Sequence, residues 1–136
     1  MRATMFADGG SRGNPGPAAG GAVLYDETGA LVREAGEFLG IATNNVAEWN
    51  GLLAGLAAAL ELGVDDLAVR LDSELVVRQL TGIYRVKHPD LQPLYARARK
   101  LIARFRSVDI RHVPRNQNKA ADALVNRLLD EEKART

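Results

Sequence analysis

The chain has 136 residues, a length that suits one domain with one hydrophobic core. Hydrophobic residues make up 46% of it and charged residues 26%, which excludes an intrinsically disordered chain, and its apolar stretches are too short to cross a membrane. It contains no cysteine, which excludes disulfides and thiolate metal sites, and no signal-peptide pattern opens it. We therefore predict a single cytoplasmic domain over residues 1–136.

The charged residues are unevenly distributed, although the net charge is only +1. Residues 1–77 carry four basic and eleven acidic side chains, whereas residues 78–119 carry eleven basic and two acidic ones. This pattern predicts that a polyanion would bind one side of the protein, through the second segment. The alternative is an amphipathic helix whose charges simply face water.

The first three predicted elements are strands, over residues 2–7, 20–25 and 30–39. The third strand alternates apolar and polar residues, as a half-buried strand does. The sequence DETG at 26–29 is typical of a turn. We therefore expect an antiparallel meander at the start of the chain.

The rest of the chain alternates between helical spacing of apolar residues and short runs of β-branched residues and leucine. Helices are predicted over 45–62, 73–80, 91–105 and 118–133, and strands over 66–71 and 108–113. This order predicts an α/β domain with a mixed sheet, because strand–helix–strand crossovers are parallel and right-handed. In such sheets ligands bind at the carboxyl ends of the parallel strands.

Two carboxylates in the first half of the chain each have two interpretations. Asp8 ends the first predicted strand, where it is either an Asp-Gly turn residue or a functional group. Glu48 follows Asn45 by three residues, as in a helix capping box. Glu48 also precedes Leu52 by four residues, which places its carboxylate on the apolar side of the helix, toward the sheet.

Two further carboxylates lie in the second half. Asp72 directly follows a buried strand, where it is either the N-cap of the next helix or a functional group. Asp122 lies one turn into the last helix, where it complements the helix dipole or takes part in a site.

The four carboxylates are expected to converge. Asp8 and Asp72 end inner parallel strands, and Glu48 and Asp122 lie in the first turns of helices that point toward the same edge. Such a cluster would raise the carboxyl pKa values unless cations neutralised it. Mg²⁺ suits this donor set, and two ions about 4 Å apart would make a site for phosphodiester hydrolysis.

Four segments, in this order and spacing, resemble type 1 ribonuclease H: DGGSRGNPGPAAGGAVL, TNNVAEW, LDSELVVRQL and VPRNQNKAADAL. The resemblance covers nearly the full chain and implies the ribonuclease H-like fold, a five-stranded mixed sheet flanked by helices with strands 1, 4 and 5 parallel. It implies an endoribonuclease that hydrolyses the RNA strand of RNA–DNA hybrids and leaves 5′-phosphate and 3′-hydroxyl ends. The implied cofactor is Mg²⁺, two ions per site with substrate bound and Mn²⁺ as an alternative, and the implied form is a monomer.

The resemblance also implies roles for individual residues. Asp8 would bridge two metal ions, Asp122 would hold the ion that activates water, and Glu48 and Asp72 would hold the ion at the leaving oxygen. Ten further residues are implied to bind the substrate through the minor groove and the backbone. They are Gly9, Gly10, Ser11, Asn14, Thr43, Asn44, Asn45, Glu74, Lys87 and Arg115.

The sequence departs from the family pattern at several points. The loop PRNQNK lacks the histidine that many members carry before the last aspartate, and Arg115 is expected to replace it. Ile41 occupies the position of an arginine that contacts the DNA phosphate in many members, and Lys87 is expected to compensate. Glu74 replaces a polar amide, and IYRVKHPDL is too short for the helical basic protrusion.

Three other functions compete with this interpretation. A resolvase or integrase core of the same fold would lack the paired TNN and GNPG segments. A non-catalytic hybrid-binding module would gain nothing from clustered carboxylates, since nucleic acid is itself negatively charged. A nucleotide enzyme built on the glycine-rich segment would need the GK[ST] ending, which GGSRGNPGP lacks.

Overall fold

A computed structural model describes residues 1–135. The strands are β1 (Arg2–Ser11), β2 (Gly16–Asp26), β3 (Leu31–Ala42), β4 (Asp66–Leu71) and β5 (Ser107–His112). The helices are α1 (Asn44–Glu61), α2 (Glu74–Leu80), α3 (Gln92–Ile102) and α4 (Lys119–Arg135), and a short 3₁₀ turn at Arg115–Gln117 precedes α4.

The five strands form one mixed sheet in the order β3-β2-β1-β4-β5. β1, β2 and β3 pair antiparallel, whereas β1, β4 and β5 are parallel, which confirms the predicted fold class and topology. In the parallel pair, Ala7 lies opposite Leu71. The residues that follow these two, Asp8 and Asp72, therefore emerge at the same edge of the sheet.

The glycine-rich segment after Asp8 is strand rather than turn. Asp8 pairs with Gly21, and the ladder continues as far as Ser11 opposite Ala18. The turn itself begins only at Arg12, whose backbone N–H donates to the carbonyl of Pro17 (2.8 Å). The interpretation of Asp8 as an Asp-Gly turn residue is therefore wrong, because pairing with β2 holds these glycines extended.

The two faces of the sheet are covered by different helices. A Cβ atom at Gly20 would meet the backbone of α1, and one at Gly21 would meet Leu124 of α4. Since successive residues of a strand point to opposite faces, α1 and α4 lie on opposite sides of the sheet. The core between α1 and the sheet is centred on fully buried Trp49, Met5 and Leu52.

The described residues contain no helix with both the length and the apolar composition needed to cross a bilayer.

Candidate active site

The first pair of carboxylates is positioned by the parallel strands. Asp8 lies within β1, where its Oδ1 accepts a hydrogen bond from the backbone N–H of Gly9 (2.8 Å). Asp72 follows β4 but does not cap α2, because Ser73 does so with its hydroxyl oxygen accepting from the Val76 N–H (3.3 Å). The N-cap interpretation of Asp72 is thus wrong by one residue, and its carboxylate lines the adjoining cavity instead.

Glu48 is positioned by α1. The helix is capped by Thr43, whose Oγ1 accepts from the Val46 N–H (3.2 Å), so the predicted Asn45–Glu48 capping box is wrong. Glu48 instead lies on the sheet side of the helix, where a hydrogen bond joins it to Ser73. Burial first, and then the charge of Asp72, raise the pKa of Glu48, while the Ser73 hydrogen bond and Arg115 act in the opposite direction.

Asp122 is positioned by the first turn of α4. Its backbone N–H donates to the carbonyl of Asn118 (3.1 Å), and its own carbonyl accepts from the side-chain amide of Asn126 (3.1 Å). These bonds fix the first turn of α4, from which Asp122 lines the same cavity as Asp8 of β1.

All four carboxylates line a single open cavity of about 610 Å³, which we call the carboxylate cavity. Gly9, Gly10, Ser11, Asn44 and Arg115, all predicted site residues, line it too. Sequence analysis missed Arg12, Ser73 and Asn126, which also face it. Ser73 carried a signal, since it directly follows Asp72 and is itself a favourable N-cap residue.

The electrostatics of the carboxylate cavity are most unfavourable at Asp8. Burial, followed by the negative charges of Asp72, Asp122 and Glu48, raises the pKa of Asp8 to about 7, against the lowering effect of the Gly9 hydrogen bond. The pKa of Asp8 is thus raised by the charge of each of the other three carboxylates. A cation placed among them would remove this conflict.

The donor set fits a hard divalent cation. The cavity offers carboxylate oxygens and no thiolate or imidazole, which is the ligand chemistry of Mg²⁺ and Mn²⁺. Within residues 1–135, no three acidic, histidine or cysteine side chains are close enough to form a metal centre by themselves. Mg²⁺ bound here would need water or substrate oxygens to complete its coordination shell.

A second cavity of about 520 Å³ adjoins the first, and the two share Asn44 and Glu48. We call it the amide cleft, because Asn14, Thr43 and Asn45, all predicted site residues, line it together with Asn44. Asn44 Oδ1 accepts from the Ser11 N–H (2.8 Å), and Asn14 Oδ1 accepts from the Asn44 N–H (3.1 Å). Both amide oxygens are thereby used internally, which leaves the two NH₂ groups as donors.

Two predicted substrate residues lie outside both cavities. Glu74 forms an ion pair with Arg78 (2.5 Å), and Lys87 lines neither cavity. His88, which sequence analysis did not consider, lines the amide cleft instead. The Asp90 N–H donates to His88 Nδ1 (3.1 Å), so the neutral ring carries its proton on Nε2 and can donate it to a ligand.

The basic segment 78–119 does not form one face. Arg106 pairs with Asp66 at the amino ends of the parallel strands, at the edge of the sheet opposite the carboxylate cavity. Arg111 pairs with Asp109 (3.1 Å). Among the described residues, Arg85 and Lys87, in the loop before α3, are exposed and have no ion-pair partner.

Known proteins resemble the chain over almost its whole length. The family model described as reverse transcriptase-like matches residues 6–128, which include all four carboxylates. Ribonuclease HI of Halobacterium salinarum is 49% identical over 130 residues, covering 96% of this chain and 65% of that protein. The bifunctional protein Rv2228c of Mycobacterium tuberculosis is 48% identical over 131 residues, and this chain spans only 36% of its length.

Solved structures share the fold closely. The crystal structure of RNase H1 from Halobacterium salinarum has a TM-score of 0.93 at 49% identity, covering 96% of this chain and 99% of that one. LC11-RNase H1, solved in complex with an RNA/DNA hybrid, has a TM-score of 0.89 at 38% identity, covering 96% and 98% of the two chains.

Proposed function

This chain belongs to the ribonuclease HI family, the type 1 ribonucleases H, and from that premise we propose that it cleaves the RNA strand of RNA–DNA hybrids endonucleolytically. The products would carry 5′-phosphate and 3′-hydroxyl ends. The observation that carries the proposal is the continuity of the two cavities. Four carboxylates line one, hydrogen-bond donors line the other, and Asn44 and Glu48 belong to both.

The carboxylates are proposed to hold divalent cations, Mg²⁺ in the first place with Mn²⁺ as an alternative. Asp8, Glu48, Asp72 and Asp122 supply only oxygen donors, as such ions prefer. Two bound ions would activate a water molecule and stabilise the leaving oxygen of the phosphodiester. Asp8 is the proposed shared ligand, because its pKa responds to the charge of each of the other three carboxylates.

The amide cleft is proposed to hold the two strands of the hybrid. Asn14 and Asn44 present NH₂ donors because their oxygens are occupied by backbone N–H groups. Such donors suit 2′-hydroxyl oxygens and base acceptors in a shallow minor groove, where a protein distinguishes RNA from DNA by the 2′-hydroxyl. Asn44 and Glu48 line both this cleft and the carboxylate cavity, so a bound duplex would cross both.

Arg115 is proposed to act at the carboxylate cavity in place of the histidine that many relatives carry. It lines that cavity, and its charge lowers the pKa of Glu48. A cation there would attract the phosphate of a departing product strand.

The test compares cleavage of a labelled hybrid, duplex RNA, duplex DNA and single strands, with Mg²⁺, with Mn²⁺ and with chelator. The wild-type protein should cut only the hybrid and only with metal, and Asp8→Asn should abolish cleavage while still binding the hybrid. Asp109→Asn is the matched control, because Asp109 is an exposed, ion-paired carboxylate that lines a separate groove, with Asp66 at the start of β4. It should cleave at the wild-type rate.

Each of the other outcomes would support a different function for this protein. A hybrid that is bound but never cut would support a non-catalytic binding module. Cleavage of duplex DNA or of four-way junctions in preference to the hybrid would support another nuclease of this fold.

A further inference from the structure

Asn118, a residue of the loop before α4, is one of two polar side chains that the described part of the fold buries almost completely. Its exposed fraction is 1%, compared with 6% for Gln79, the other buried amide. The Asn118 side-chain Nδ2 donates to the backbone carbonyl of Ala7 (3.0 Å). Its Oδ1 has no hydrogen-bond partner among the described residues, so the side chain makes one hydrogen bond and its oxygen makes none. Such a residue calls for an explanation, since a buried half-satisfied amide is costly.

That hydrogen bond joins the two segments that carry Asp8 and Asp122. Ala7 is the residue directly before Asp8 in β1. The backbone carbonyl of Asn118 accepts from the N–H of Asp122 (3.1 Å). One residue thus contacts the backbone next to one carboxylate through its side chain and the backbone of the other carboxylate through its main chain.

Arg12, one residue beyond β1, also reaches α4, where it bonds to Asn126 (3.4 Å) and forms an ion pair with Asp130 (2.7 Å), farther along the helix than Asp122.

The contacts that β1 itself makes with the start of α4 are less specific about position. Phe6, Ala121 and Leu124 meet in a small apolar cluster, and apolar contacts have no directional preference. Asp8 and Asp122 meanwhile repel each other. A directional hydrogen bond between the two segments opposes that repulsion and fixes their separation.

We propose that Asn118 is a positioning residue that holds α4 against β1, so that Asp8 and Asp122 keep the spacing required by a divalent cation bound between them. The proposal rests on the proposed function, since it concerns the same carboxylate cavity. Asn118 does not line that cavity and acts only through the two segments that it joins.

The experiment compares Asn118→Ala with Gln79→Ala, which removes a buried amide at the end of α2, away from the carboxylates. Four quantities are measured: the Mn²⁺ affinity of the substrate-free protein by calorimetry, kcat and KM on a hybrid, and the thermal midpoint. Asn118→Ala should lower Mn²⁺ affinity and kcat by roughly tenfold or more, as loss of an outer-shell partner does, with KM within about twofold. Gln79→Ala should lower the thermal midpoint but change neither Mn²⁺ affinity nor kcat.

Equal effects of the two substitutions on Mn²⁺ affinity and kcat would overturn the proposal and leave Asn118 a purely structural residue. If Asn118→Ala does not fold at the assay temperature, Asn118→Ser decides instead. Its shorter side chain fills part of the space but cannot span the same distance, so Mn²⁺ affinity should still fall. A wild-type protein that binds Mn²⁺ but leaves the hybrid intact would refute the proposed function alone, because the calorimetric comparison does not depend on cleavage.

Discussion

At the scale of single residues, Asp8 illustrates how a site can oppose the stability of its own fold. Its ordinary pKa is 3.8, and burial together with three neighbouring carboxylates raises the pKa in the folded protein to about 7. Between these values the folded state retains a proton that the unfolded state has released. The free energy of unfolding therefore falls as pH rises from about 4 to about 7, and it is level above that range.

Asp8→Asn should consequently make the metal-free protein more stable at about pH 8. The expected gain is a few kcal/mol at most, since one pKa unit corresponds to about 1.4 kcal/mol, and it should vanish near pH 4. Thermal unfolding in chelator across this pH range measures it. Asp109→Asn, at an exposed ion-paired position, should show no such gain. If Asp8→Asn were no more stable than wild type at pH 8, Asp8 would be ionised in the fold at no cost.

At the scale of elements, the site depends on how closely α1 approaches the sheet. A Cβ atom at Gly51 of α1 would lie 2.1 Å from the backbone carbonyl oxygen of Asp8, and one at Gly9 would lie 2.2 Å from the backbone of Ala47. Only glycine permits this contact, because neither backbone can yield. The contact brings the helix that carries Glu48 directly against the strand that carries Asp8.

Gly51→Ala should therefore destabilise the fold by about 2 kcal/mol or more, as overpacking does, and should move Glu48 away from Asp8. Gly10→Ala is the matched comparison, because its nearest neighbour would be Val125 Cγ1 at 3.8 Å, an ordinary contact. Its stability should stay within about 0.5 kcal/mol of wild type. The midpoints of urea unfolding measure the stability of both variants. Equal losses of stability would show that α1 can move away from the sheet at no cost in free energy.

The number and type of the strands and helices could be predicted from the sequence, but the residues at which they begin and end could not. Helical spacing of apolar residues predicted the four helices, and alternation or compact runs of β-branched residues and leucine predicted the five strands. The caps were misplaced because each helix start offers adjacent candidates, Thr43 beside the asparagines and Ser73 beside Asp72. The continuation of β1 to Ser11 was missed because glycines have no side chain to carry an alternating pattern, and only pairing with β2 determines it.

At the scale of the whole molecule, the convergence of the four carboxylates could be predicted from the sequence. The positions of the basic residues on the folded surface could not. Parallel strand ends meet at one edge by topology, which brought Asp8 and Asp72 together. Charge counted along a chain says nothing of direction, so Arg106 was grouped with residues that the fold places at the other edge. The role of Asn118 could not be predicted either, because its hydrogen-bond partner Ala7 lies 111 residues away in the sequence.

Two pairs of basic residues without ion-pair partners among the described residues lie in different places and can be compared. Arg85 and Lys87 lie in the loop that leads to His88 and the amide cleft. Arg97 and Lys100 line a different groove, between α1 and α3, with Leu53 and Ala57. Only the first pair lies beside the proposed hybrid site, because its loop leads directly to the amide cleft.

In an Asp8→Asn background that binds without cutting, Arg85→Ala with Lys87→Ala should weaken hybrid binding by roughly tenfold at low salt. It should also reduce the slope of log affinity against log salt by about 1 to 2. Binding releases counterions at each phosphate contact, so a protein with fewer contacts releases fewer of them. Arg97→Ala with Lys100→Ala removes the same charge from the other groove and should have a smaller effect on both quantities. Fluorescence anisotropy between about 50 and 200 mM salt measures them. Equal effects of the two pairs would mean that net charge alone drives binding, and a salt-independent affinity would remove the electrostatic account of the basic segment altogether.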